Sequence, residues 1–355
     1  MRNLTVLLAI LPAFFTVMGC SGKQSGDQKM IPADSLNVPD TTIVKAPDTL
    51  VKTTSVADPS WSDALKNEKA ALQKQTENKS VPKGEIKLSG AKPNSPMRPL
   101  TTLKDPVRSP ELMSGLSKAE KGDMKGAIAD FDAAIAKYAN NYMAYFFRGK
   151  AKLELKDTDA ALRDIEKCIS IFPDQVTANY YAGKIYCDKK EYPRALEAFD
   201  NALKAKPTDA PSLDYRGVTK AMMGRNSEAI ADYDAALKAD PKYTTSYYNK
   251  GTALAALKRY DEAVGCFTEA LKQNTSTKLC YMNRGNCYVL LKNQQAAIDD
   301  YTKLIELDPG NSDAYCNRGT AYSMTGDSRM CEDWKKAASM GNKRAVDLLK
   351  QNCGK

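Results

Sequence analysis

The chain has 355 residues, with 52 lysines and arginines against 43 aspartates and glutamates, a net charge of +9 and no histidine. The missing histidine removes the commonest general base, the Ser-His-Asp and Cys-His arrangements and every His-containing zinc site. The charge is dispersed, with no block of five or six like residues, and no GxxxxGK[ST], GxGxxG or CxxC stretch occurs, so no nucleic-acid partner, cofactor, metal or enzymatic activity is expected.

The N-terminus, MRNLTVLLAILPAFFTVMGC, has one early positive residue, an apolar run from Leu4 to Val17 and small residues before a cysteine. This pattern predicts a secretory signal over 1–19, too short and abruptly ended for a comfortable membrane span. Its end, Val17-Met18-Gly19-Cys20, resembles a bacterial lipoprotein processing site. That resemblance implies that Cys20 becomes the mature N-terminus and carries acyl chains, which hold a protein to a membrane through about 0.8 kcal/mol per buried CH₂. The alternative is an ordinary cleaved signal followed by an incidental cysteine. Ser21 follows Cys20, and the acidic run that sends some lipoproteins to the cell surface is missing from SGKQSGDQK. The expected location is the bacterial envelope, at the outer membrane and facing the periplasm.

Residues 20–108 are poor in aromatics, hold nine of the seventeen prolines and carry mixed charge. Such a segment cannot bury enough apolar surface to offset its ordering entropy, and a disordered tether is predicted. A flexible coil of this length reaches on the order of 50 Å. Within it stands an imperfect duplication, PDTTIVK from 39 and PDTLVK from 47.

From residue 109 a fixed period of 34 appears. Glycine recurs at 115, 149, 183, 217, 251, 285 and 319, and twelve residues after the first six come Ala127, Ala161, Ala195, Ala229, Ala263 and Ala297. Sixteen after stand Phe131, Ile165, Phe199, Tyr233, Phe267 and Tyr301, and Pro173, Pro207, Pro241 and Pro309 close most units. Each unit reads as two helices: a first one centred on the glycine, a break such as KGD (121–123) or GRN (224–226), and a second apolar stripe ended by the proline. Glycine inside a helix costs about 1 kcal/mol relative to alanine, so its recurrence predicts close helix approach beside the aromatic.

This period and its Gly, Ala, aromatic, Ala, Pro pattern resemble the tetratricopeptide repeat. The resemblance implies an all-α, right-handed superhelical solenoid of seven helix pairs over 109–342, with a capping helix and tail over 343–355, begun at NKRAVDLLKQ. Terminal units depart from the pattern, as an end without a neighbour requires. Glu111, Lys118 and Ala139 replace apolar or proline residues in the first unit, and Met330, Trp334 and Ala337 stand for Ala, aromatic and Ala in the last.

Four arginines, Arg148, Arg216, Arg284 and Arg318, precede the glycine, and Asp164, Asp232, Asp300 and Asp333 lie sixteen or fifteen residues on. Unit three has lost both, with Ala182 and Ala198, which predicts an Arg–Asp bridge between the helices of one unit. Cys168 replaces a packing alanine and reads as buried, and a disulfide between Cys331 and Cys353 would staple the C-terminal end, as an exported protein permits.

The family resemblance also implies a concave groove formed by first helices. Its candidate lining is Phe146, Phe147, Tyr180, Tyr181, Tyr215, Tyr248, Asn249, Asn283 and Asn317 just before the glycine, with Lys150, Lys184 and Asn286 just after it. Aromatics anchor partners and amides hold extended backbone. The expected function is a membrane-tethered scaffold that binds a peptide segment of an envelope protein. The alternative is an assembly or pilotin-like factor for an outer-membrane secretion or pilus machine.

Overall fold

The computed structural model describes residues 109–275 and 277–353. The signal, Cys20 and the tether lie outside the described residues. Fifteen α-helices follow in chain order: α1 (Pro110–Glu120), α2 (Met124–Lys137), α3 (Tyr142–Glu154), α4 (Thr158–Ile171), α5 (Val176–Asp188), α6 (Tyr192–Ala205), α7 (Ala210–Met222) and α8 (Asn226–Ala239). They continue with α9 (Thr245–Ala256), α10 (Tyr260–Lys272), α11 (Thr277–Leu290), α12 (Gln294–Leu307), α13 (Ser312–Met324), α14 (Met330–Ser339) and α15 (Lys343–Asn352). Odd and even helices pair from α1/α2 to α13/α14, α15 caps the end, and no strand occurs among the described residues.

The repeated glycine sets the approach within each pair. A Cβ on Gly251 would lie 2.8 Å from Phe267 Cε1, and one on Gly217, Gly285 or Gly319 would meet Tyr233, Tyr301 or Trp334 at 2.7–2.8 Å. These rings are buried, so they have nowhere to retreat. In the second unit the partner is Ile165, and there a Cβ on Gly149 would also meet the Ala161 carbonyl at 3.0 Å.

Helix ends follow from local chemistry. Seven residues after each glycine the chain enters the left-handed region, at Gly122, Lys156, Lys190, Gly224, Lys258, Lys292 and Gly326. In the second unit Lys156 N–H donates to the Leu153 carbonyl and Asp157 N–H to that of Lys152, which satisfies two carbonyls at the end of α3. Asp157 is in turn the N-cap of α4, its carboxylate accepting from Ala160 N–H. Four lysines thus hold a conformation that costs L-residues roughly 1–2 kcal/mol. Four second helices stop two residues before a proline, and the intervening Phe172, Lys206, Asp240 and Asp308 take extended φ values between −134° and −150°.

All four expected Arg–Asp bridges form. Arg148, Arg216 and Arg284 reach Asp164, Asp232 and Asp300, and Arg318 reaches Asp333, each through two hydrogen bonds of 2.5–3.1 Å. The same arginines also reach backward into the preceding unit, to Asp132, Asp200, Thr268 and Thr302 sixteen residues earlier. In unit five Lys250 makes only the backward link, to Asp234 at 2.5 Å. One basic side chain therefore ties two helices of its own unit to the preceding unit. Unit three, with Ala182, has no such tie; Tyr186 and Arg194 take Glu166 instead.

At the C-terminus α15 lies on α14, with Ala345 buried, and the disulfide Cys331–Cys353 closes the cap. Closing a loop of 22 residues stabilises by about 3 kcal/mol.

A double-mutant cycle on Arg216→Ala and Asp232→Ala, read by urea unfolding, is expected to show coupling of about 1–2 kcal/mol, because Arg216→Ala leaves buried Asp232 with Lys220 alone and Asp232→Ala leaves Arg216 with Asp200 alone. Additive effects would contradict the bridge as a structural element.

Candidate peptide-binding face

Curvature places the first helices on the inner side. α1 touches α3, α5 touches α7, and contacts of the same kind join α7, α9, α11 and α13, whereas no two second helices touch to that extent. Among neighbouring first helices, α3 and α5 approach least closely. This is the junction that lacks the basic tie.

Nine of the twelve candidate lining residues are buried: Phe146, Phe147, Lys150, Tyr181, Tyr215, Tyr248, Asn249, Asn286 and Asn317. Tyr180, Lys184 and Asn283 are half-buried. A register explains the burial. The residue two before one glycine meets the residue three before the preceding glycine, 35 positions earlier, at five successive junctions. Tyr181 packs on Phe146 and Tyr215 on Tyr180, with ring centroids 5.7 and 5.4 Å apart. Asn249 then donates to Asp214, Asn283 to the Tyr248 hydroxyl and Asn317 to Met282 Sδ. These side chains form the seam between units, aromatic in the N-terminal half and amide in the C-terminal half. Asn286 accepts from Tyr301 Oη and Asn317 Nδ2, and Asn317 Oδ1 accepts from Arg344 of the cap, so α15 occupies the far end of the inner face.

Between α3 and α5 the inner face opens into a cleft of about 270 Å³ lined by Lys150, Leu153, Glu154, Thr158, Tyr181, Lys184, Ile185 and Asp188. Three of the candidate residues, Lys150, Tyr181 and Lys184, meet here. Leu153, Glu154, Ile185 and Asp188 were not read from the sequence; for Leu153, Glu154 and Asp188 the signal available was a position one helical turn beyond the two lysines, and Ile185 directly follows Lys184. Lys184 Nζ lies 5.5–6.0 Å from the ring centres of Tyr180, Tyr181 and Tyr215, where the negative ring faces favour a cation. The cleft offers two ammonium groups in its middle, apolar walls and two carboxylates further along the same helices. No group of three potential metal ligands and no helix able to cross a membrane occurs among the described residues.

One seam residue carries a buried carboxyl. Asp214 on α7 is fully covered and accepts from Ser246 Oγ at 2.6 Å and from Asn249 Nδ2 at 3.1 Å, while the Asn249 Oδ1 is buried with no hydrogen-bond partner. Burial, only partly offset by these two donors, pushes the Asp214 carboxyl up to about 6, and Tyr233 and Tyr243 are among the groups that feel its charge. Because the folded value exceeds the unfolded value of about 3.9, the folded state holds the extra proton between the two. Stability from this group is greatest below pH 4, falls as pH rises through 6, and is flat above. Asp214→Asn is expected to abolish this part of the decline between pH 4 and 7 and to raise the melting temperature at pH 7; an unchanged slope in thermal melts would contradict it.

Family profiles described as tetratricopeptide repeat match residues 112–167, 153–210, 221–277, 279–311 and 300–333. No curated protein matches the chain. Among solved structures, the chain is 22% identical to a tetratricopeptide repeat protein from Parabacteroides merdae, with a TM-score of 0.51 over 68% of this chain and 97% of that one. It is also 22% identical to the C-terminal part of a TPR repeat-containing protein from Cytophaga hutchinsonii, with a TM-score of 0.55 over 66% and 98%. A third likeness, at 20% identity and a TM-score of 0.52 over 57% and 94%, is to PilW, a widely conserved type IV pilus biogenesis factor. At these identities the likenesses establish the fold, and with the profile matches they lead to one conclusion: the chain belongs to the tetratricopeptide repeat family.

Proposed function

We propose that the protein is an envelope scaffold, anchored through acylated Cys20, that binds a peptide segment of another envelope protein on its inner face. The observation that carries this reading is the cleft between α3 and α5, where Lys150, Tyr181 and Lys184 meet on the face that the curvature makes concave. Half-buried Tyr180 and Asn283 extend the same face beyond the cleft. A ligand segment in extended form gains a ring contact from Tyr180 and a hydrogen bond from Asn283. The anchor reading rests on the Val-Met-Gly-Cys end of the apolar run.

Capture from detergent-solubilised envelopes with the full chain tests both parts. Tyr180→Ala, Lys184→Ala and Asn283→Ala, each with helicity and melting behaviour retained, are expected to weaken capture of the partner by about fivefold or more. Wild-type capture by all three would move the interface off the inner face. Mass spectrometry of the same preparation is expected to find an acylated Cys20 as the first residue, and cleavage elsewhere or an unmodified cysteine would remove the anchor. A single partner held at fixed stoichiometry would favour the assembly-factor reading of the same face.

A further inference from the structure

We infer that the Cys331–Cys353 disulfide is a thiol-exchange site: its reduction by a dithiol releases α15 and uncovers the C-terminal end of the inner face at Cys316 and Asn317. Only the use made of the uncovered end rests on the reading of that face as a peptide site.

The first argument is what α15 covers. At five junctions the residue three before a glycine is met by the first helix of the next unit. In unit seven that residue is Cys316, and α15 is the helix that follows the unit. Cys316 is only 1% exposed and shares one apolar cluster with Ala345, Leu348, Leu349 and Cys353. Arg344 donates to Asn317 Oδ1 at 3.1 Å, and its charge is felt at the Cys316 thiol. The cap therefore does for unit seven what a further unit does elsewhere.

The second argument is how little else holds α15. It has ten residues, too few for a helix to stand alone in water. Ala345 is its one buried residue, and Leu348 and Leu349 are only partly covered. Two hydrogen bonds tie its beginning to α13, from Asn342 to Asp313 and from Arg344 to Asn317, while the disulfide ties its end to α14. Closing a loop of 22 residues favours the docked cap by about a hundredfold, and reduction removes that factor.

The third argument is selectivity. Cys331 and Cys353 are half-buried, whereas five of the six free cysteines among the described residues are buried. Burial pushes the Cys280 and Cys287 thiols up to about 12 and that of Cys316 to about 11, so they supply little thiolate for exchange. A dithiol from solvent thus acts on one bond. Its thiolate bonds to one cysteine sulfur, the Cys331–Cys353 bond breaks, and the other sulfur leaves as a thiolate that takes up a proton. The reductant's second thiol then closes its own disulfide, and the cysteine it frees takes up the second proton. Two electrons and two protons pass in all from the dithiol to the two cysteines. With α15 released, Asn317 Oδ1 loses its Arg344 donor and becomes an acceptor for an extended backbone.

Maleimide labelling of the full chain, read cysteine by cysteine by mass spectrometry, tests this. Wild type reduced with dithiothreitol and freed of it, and a Cys331→Ser, Cys353→Ser variant, are both expected to label at Cys316 about tenfold or more faster than the oxidised wild type. Cys280 and Cys287 are expected to keep their slow rates. Cys316 as slow in both proteins as in the oxidised one, a disulfide that dithiothreitol opens only in denaturant, or Cys280 and Cys287 rising together with Cys316 would overturn the inference. Such results leave the peptide-binding reading standing, because that reading falls only if Tyr180→Ala, Lys184→Ala and Asn283→Ala all capture partner as the wild type does.

Discussion

Everything in the array depends on how closely a first helix can lie against the aromatic ring of its second helix. With a hydrogen in place of a side chain at Gly115, Gly183, Gly217, Gly251, Gly285 or Gly319, the ring edge sits where a Cβ would otherwise stand. The helix-propensity cost of about 1 kcal/mol per glycine is offset by burying a whole ring, which is worth more than a methyl group at that site. Fixing this distance fixes where the residue before the glycine points. The arginine there then reaches the aspartate on its own second helix and the preceding unit at the same time.

The seam between units is built from this rigid pair outward. Positions 35 apart meet at five junctions, but the chemistry changes from ring-on-ring to amide bonding midway along the chain. Where the basic tie is missing, at Ala182, the neighbouring first helices approach least closely and the inner face opens. The cleft thus coincides with the one unit that lacks the basic side chain before its glycine, and half-buried Lys184 lines it beside buried Lys150 and Tyr181.

The 34-residue frame, the glycine and its ring, the Arg–Asp bridge and the stapled cap were legible in the sequence because both partners of each contact lie within one unit or at a fixed short offset. Three features were not. The backward reach of the arginines to Asp132, Asp200, Thr268 and Thr302 involves residues of mixed type, so no single pattern marks them. Lys156, Lys190, Lys258 and Lys292 occupy left-handed positions that favour glycine, since the turn geometry between packed helices overrides the residue's preference. The lining of the inner face was only half legible: aromatic and amide residues that a single unit shows as available are covered once the next unit stacks on it. Tyr180, Lys184 and Asn283 keep partial exposure, and the cleft itself depends on a spacing between helices that no residue spells out.

The most direct measurement of the central claim is the stability of Gly251→Ala. At an unconstrained helix position this change stabilises by up to about 1 kcal/mol. Here the added Cβ would press on Phe267 at 2.8–3.1 Å with the ring fully buried, so urea unfolding is predicted to show a loss of about 1–3 kcal/mol, relieved when Phe267 is also shortened to leucine. A Gly251→Ala protein as stable as the wild type or more so would contradict the account.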